Sequence, residues 1–309
     1  MADDPPPRVR DARGRRRQRV TEPALSAERR SPSSPAGAES VAWRLHSELV
    51  LLAGWGRAIL LQLAHPLIAE GVAAHSGFLT EGWGRLRRLS RTLSAMLTLT
   101  FGTEDDAAAV VRGINGIHDR VHGELSASRG VFPAHTHYTA HDPALLGWVH
   151  ASLVDSQLLT YERFVAPLSI ADRDRYCEET SEIEGLVGIP HGQLPRSARE
   201  LAAYMDAMLT GDQLCVTDTA RMLAREIVNP PAFVIGWPIV ALTRLPTVGF
   251  LPPAVRAGYG FPWSERNARA LGFLTGISRR LLPLIPSPLR YWRIARAARA
   301  RQRSRIESA

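Results

Sequence analysis

Residues 49–64 read LVLLAGWGRAILLQLA, an apolar run interrupted by Arg57 and Gln62. A membrane-spanning helix needs ~20 uninterrupted apolar residues, and two polar groups inside a shorter run point instead to a buried core helix. Working outward, the apolar residues recur at intervals near 3.6 from Val41 onward. The pattern predicts helices over 41–64, 66–75, 82–100, 104–124, 143–166, 171–187, 197–210, 216–228, 233–243, 252–257, 263–283 and 288–304. Asp142-Pro143, Ser169, Pro195 and Gly211 punctuate them. Residues 231–253 are also apolar but broken by prolines, and read as a crossover. No stretch shows sustained alternation, so no strand is expected. The fold class is all-α, a single large helical domain with enough apolar residues, 45%, to bury a sizeable core.

Two stretches carry candidate chemistry. Arg85-Leu86-Arg87-Arg88-Leu89-Ser90-Arg91-Thr92 sets a guanidinium, Arg88, and a hydroxyl, Thr92, one turn apart on one helix face. Such groups are costly in an apolar pocket unless something uses them. Ile117-His118-Asp119-Arg120-Val121-His122-Gly123 offers an imidazole from another helix. Neutral imidazole is the commonest protein metal ligand and a usual proximal ligand of haem iron, so the combination suits a buried haem with His118 as first choice. Against this, most arginines of such a segment must be solvated, and a lone helical histidine more often packs than ligates.

Other chemistries are excluded by residue type. All 38 basic residues are arginine, which rules out Schiff-base, pyridoxal phosphate and P-loop lysine chemistry. No G-x-G-x-x-G run follows a strand and no G-x-S-x-G elbow is present. His118 and His122 share a helix spacing but lack the glutamate of a zinc protease, and no Glu-x-x-His supports a di-iron bundle. His135, His137 and His141 cluster near Tyr138, where they would form at most a surface metal trap.

The net charge of +8 sits at the ends. Residues 1–38, Arg- and Pro-rich, carry +4 and are expected to be disordered, without an apolar segment for an export signal. Residues 290–309 carry +6, leaving −2 to residues 39–289. Nucleic-acid binding is therefore not expected, while the basic C-terminus is suited to peripheral contact with an anionic membrane surface. Two cysteines, Cys177 and Cys215, are too few for a disulfide framework, and reduced thiols fit a cytoplasmic location.

In chain order, Gln62-Leu63-Ala64-His65-Pro66, Gly71-Val72-Ala73-Ala74-His75-Ser76, Arg88-Leu89-Ser90-Arg91-Thr92, Ile117-His118-Asp119-Arg120-Val121-His122-Gly123, Tyr138-Thr139-Ala140-His141-Asp142-Pro143 and Trp148-Val149-His150-Ala151 resemble the bacterial mpaB/rubber-oxygenase (latex-clearing protein) catalytic-domain family. Leu186-Val187-Gly188-Ile189-Pro190, Leu251-Pro252-Pro253-Ala254-Val255-Arg256-Ala257-Gly258-Tyr259-Gly260 and Pro288-Leu289-Arg290 extend the likeness over about residues 40–300. The resemblance implies a helical fold with a globin-like core, haem b as cofactor, and oxidation of carbon–carbon double bonds in isoprenoid chains by O2. It implies His118 as the proximal ligand and Arg88 and Thr92 as the distal pair, with His65 near a propionate or bonded to backbone. Two departures stand out. His122 occupies the position of a family arginine, and no lysine accompanies Arg88 as it does in the long-chain oxygenases. Slightly shortened spacing between Thr92 and His118 leaves His122 and His150 as alternative ligands. The expected partners are O2 and a hydrophobic small molecule. The non-enzyme alternative is a helical haem- or lipid-binding protein.

Overall fold

A computed structural model describes residues 40–75, 83–228 and 237–307; at 83–89, 237–242 and 305–307 it describes the backbone alone. The N-terminal tail 1–38, the start of the helix expected over 233–243, and the side chain of Arg88 lie outside the described residues. The described residues are 71% helical and 4% strand, an all-α fold.

Helix α1 spans Val41–His46, capped by Ser40, whose hydroxyl accepts from the Trp43 N–H at 3.0 Å. Helix α2, Leu52–Leu63, is the core helix read from the opening run: Leu60 and Leu61 are fully buried. Its two glycines permit close approach. A Cβ on Gly54 would lie 2.9 Å from the Ser156 carbonyl oxygen and collide with Thr160, both on α6, Pro143–Phe164. A Cβ on Gly56 would sit 2.7 Å from the Thr247 methyl of α11, Trp237–Gly249. Arg57, out of place in an apolar helix by composition, is buried with every reach used. It donates to the Phe250 carbonyl at 2.8 Å and the Ser156 hydroxyl at 2.6 Å, and pairs with Asp155 at 2.7 Å. A buried guanidinium survives only when paired and bonded in this way. Trp148 of α6 adds an indole N–H bond to the Leu61 carbonyl at 3.1 Å.

Around this centre stand α3 (Pro66–His75), α4 (Trp83–Phe101), α5 (Glu104–His118), α7 (Ile170–Ser181), α8 (Glu184–Val187), α9 (Ala198–Thr210), α10 (Asp218–Val228), α12 (Pro253–Gly258), α13 (Glu265–Leu281), α14 (Ser287–Arg290) and α15 (Arg293–Glu307). A capping box between Thr103 and Asp106 starts α5 immediately after α4, folding the two into a helical hairpin.

The structure corrects several sequence expectations, including that of no strands and that of one helix over 288–304, which is broken at the extended Tyr291. The helix expected over 41–64 breaks at Ser47–Glu48, because Glu48 is extended and pairs with Tyr291 while Arg290 Nε lies 3.0 Å from both Glu48 carboxylate oxygens. The helix expected over 104–124 stops at His118 and gives way to a two-stranded hairpin, β1 (His122–Glu124) against β2 (His137–Thr139). Gly123 is needed there, since a Cβ would lie 2.7 Å from the Tyr138 hydroxyl. The helix expected over 171–187 splits before α8, where Glu184 is buried and accepts from the N–H groups of Gly192 (2.9 Å) and Leu194 (2.7 Å) and from Arg196 (2.7 Å). Burial alone would push the Glu184 carboxyl up, but those donors outweigh it and hold its pKa below the usual value. Gly188, at φ 84°, closes α8 in the left-handed conformation.

Candidate functional site

His118 is the last residue of α5, half-buried, and its Nδ1 is shielded from solvent with no hydrogen-bond partner. Such orphaned buried nitrogens are uncommon and call for an explanation. Its ring stands edge-on to His141 at 5.7 Å between centroids, and His141 Nε2 lies 2.8 Å from the Asp119 carboxylate. Burial lowers the His118 pKa, the neighbouring His141 lowers it further, and Asp119 opposes both. The net result favours the neutral imidazole, the form that ligates iron. The site is assembled where α5 ends, at the base of the β hairpin, and where Asp142 caps α6 by accepting from the Ala144 N–H at 2.8 Å.

The other expected residues are dispersed. His65 follows α2 at 3% exposure, its ring 5.2 Å from Phe132 and its Nδ1 unpartnered. Burial drives its pKa to about 4, with Asp142 pulling weakly upward. His150, midway along α6, has Nε2 3.0 Å from the Thr180 carbonyl and a buried, unpartnered Nδ1. Burial takes its pKa to about 4, opposed by the Thr180 bond and by Glu184. His122 is exposed on β1, across from Thr139. Thr92 lies exposed on α4, one turn from Met96, and Arg88 precedes Thr92 by one turn on the same helix. His135 and His137 lie on the surface within 3.5 Å of Glu124. No group of three His, Cys, Asp or Glu side chains suited to a metal ion exists among the described residues; a haem asks for only one such ligand.

A polar cluster that sequence reasoning missed lies beneath α4. His46 Nδ1 is 2.8 Å from the Thr100 hydroxyl; its Nε2 is 2.8 Å from both Gln157 Oε1 and the Tyr176 hydroxyl, and Tyr176 in turn donates to Gln157. Burial lowers the His46 pKa to about 4. A cavity of about 20 Å³, room for about one water, adjoins it between His46, Trp55, Leu93, Met96 and Trp292. The available signal was Gln157 together with Ser152, Ser156 and Thr160, polar residues at core positions of an apolar helix.

Two kinds of buried imidazole are therefore present. His46 has both ring nitrogens engaged and cannot bind a metal without dismantling its network. His118, like His65 and His150, has a lowered pKa that favours the neutral ring and a nitrogen without a partner, chemistry that would fit a ligand of haem iron.

No curated protein and no solved structure matches the chain. The family model for the ER-bound oxygenase mpaB/B'/rubber oxygenase catalytic domain matches residues 43–281, a span that runs from α1 through α13 and includes His118, so the chain belongs to the mpaB/rubber-oxygenase catalytic-domain family.

Proposed function

We propose that the protein is a haem b-dependent oxygenase acting with O2 on a hydrophobic substrate of the isoprenoid class. Membership of an oxygenase family supports the reaction type. The observation that carries the cofactor is the half-buried, unpartnered Nδ1 of His118 in a ring whose surroundings keep it neutral. When bound, haem supplies the redox-active iron for oxygen chemistry at a carbon–carbon double bond.

The chain's own residues then have separable tasks. His118, the last residue of α5, would hold the haem iron through its imidazole. Asp119 holds His141 beside it, restricting which way the His118 ring can turn. Arg88 and Thr92, one turn apart on α4, would supply a positive charge and a hydroxyl, the donor types that stabilise charge developing during oxygen chemistry.

The test is expression with added haem, followed by a pyridine haemochrome assay and product analysis on isoprenoid substrates under air. Arg88→Ala should keep haem and lose most turnover. Protein that binds no haem would overturn the reading. Protein that binds haem tightly but turns over no substrate would move the assignment to a haem-binding protein.

A further inference from the structure

Helix α13 has two apolar faces. The first is used by the fold: Leu271 is buried, and the Ser278 hydroxyl donates to the Phe164 carbonyl at 3.1 Å. The second is bare. Phe273 is 71% exposed, Ile277 37% and Leu281 52%, and their spacing of four places them along one stripe. Arg266, Arg269 and Arg280, all exposed, fall on the same side of the helix by its 3.6 period. The chain continues into Leu284 and Leu289, at 76% and 72% exposure. It then enters α15, whose inner residues Ala295 and Ala298 pack in a cluster with Trp43 and Phe101. That packing leaves Arg293, Arg296 and Arg303 on the outer side.

We propose that this face of α13, with Leu284 and Leu289 and the outer arginines of α15, docks on an anionic lipid bilayer surface. Large apolar side chains exposed along one helical stripe are what an interaction site presents, and the charge around them selects the partner. The sole acid of α13 is Glu265, in its first turn, and residues 290–309 carry +6. A second copy seated on the same face would bring arginines against arginines. Lipid satisfies both components: Phe and Leu enter the headgroup–acyl boundary while guanidinium groups remain at the phosphates. No single helix among the described residues is long and apolar enough to cross a membrane; the exposed stripe of α13 needs only to lie along the surface. The proposal is independent of the haem reading.

The test uses the full chain in sedimentation with vesicles of phosphatidylcholine alone and with roughly one-third phosphatidylserine. The anionic vesicles should bring the protein down, less so at high salt. Phe273→Ser with Leu281→Ser should weaken binding about ten-fold or more, and Arg293→Gln and Arg296→Gln about five-fold each. These positions are exposed, so an unchanged thermal melt confirms the fold. Failure to sediment with anionic vesicles, or equal binding by the Phe273/Leu281 variant, overturns the proposal. Concentration-dependent dimers that the same variant abolishes, without vesicle binding, assign the face to a second copy and overturn it likewise.

Discussion

His46 and His118 lie in the same helical protein, and burial lowers the pKa of both, yet they do opposite things. Around His46, at the end of α1, the helices α4, α6 and α7 each contribute a polar partner, so the imidazole is a structural knot joining four helices. Around His118, at the junction of α5, the β hairpin and α6, one buried nitrogen has nothing to bond. Perturbed titration alone therefore does not mark a functional histidine. The distinction lies in whether the ring's hydrogen-bonding capacity is already spent.

The sharpest way to break this contrast is to exchange the losses. His118→Ala should abolish the Soret band of haem-supplemented protein while leaving stability within about 1 kcal/mol, since no hydrogen bond is lost. If His118→Ala keeps that band and His150→Ala loses it, the ligand is His150, the other half-buried ring with an unpartnered Nδ1.

Acid titration probes the buried set together. His46, His65 and His150 have pKa values near 4 in the folded protein against 6.5 for the free side chain. Between those values the unfolded chain binds protons that the folded protein refuses. Stability is therefore full above pH 6.5 and falls as pH drops toward 4, by about 3 kcal/mol per imidazole as an order of magnitude. Denaturant melts across this range check the sign, and His46→Leu should flatten the slope.

At neutral pH, His46→Leu should cost about 3 kcal/mol in urea melts, because Gln157, Tyr176 and Thr100 lose a shared partner inside the core. Haem binding should persist in this variant. The smallest effect belongs to His141→Ala: its pair with Asp119 is largely exposed, and such pairs contribute less than about 1 kcal/mol. A large loss of stability there would show that the hairpin junction is a structural knot as well.

Much of the helical layout was legible because the apolar stripe of residues 49–64 repeats through most later segments. Serine caps such as Ser169 and Ser197 mark helix starts locally, each accepting a backbone N–H three residues on. The hairpin was not legible: β1 and β2 are three residues each, too short for a period, and they exist because Gly123 lets Tyr138 close over it. Of the candidate site, His118 was within reach of the sequence, but its contact with His141 was not, since the sequence groups His141 with His135 and His137. The scattering of His65, His122 and His150 to separate environments was not, since spacing along a helix says nothing of which neighbour each ring meets.

Periodicity, capping and residue type act over a few positions, so the all-α class, the core status of α2 and the exclusion of lysine chemistry were settled by local chain chemistry. The break before α2, the partners of Arg57 and the state of each imidazole depend on residues far away in the chain. Glu48 meets Arg290 across 242 positions and Arg57 meets Phe250 across 193. A side chain's hydrogen bonds are completed only when the helices pack, and packing alone engaged both nitrogens of His46 and left one nitrogen of His118 without a partner.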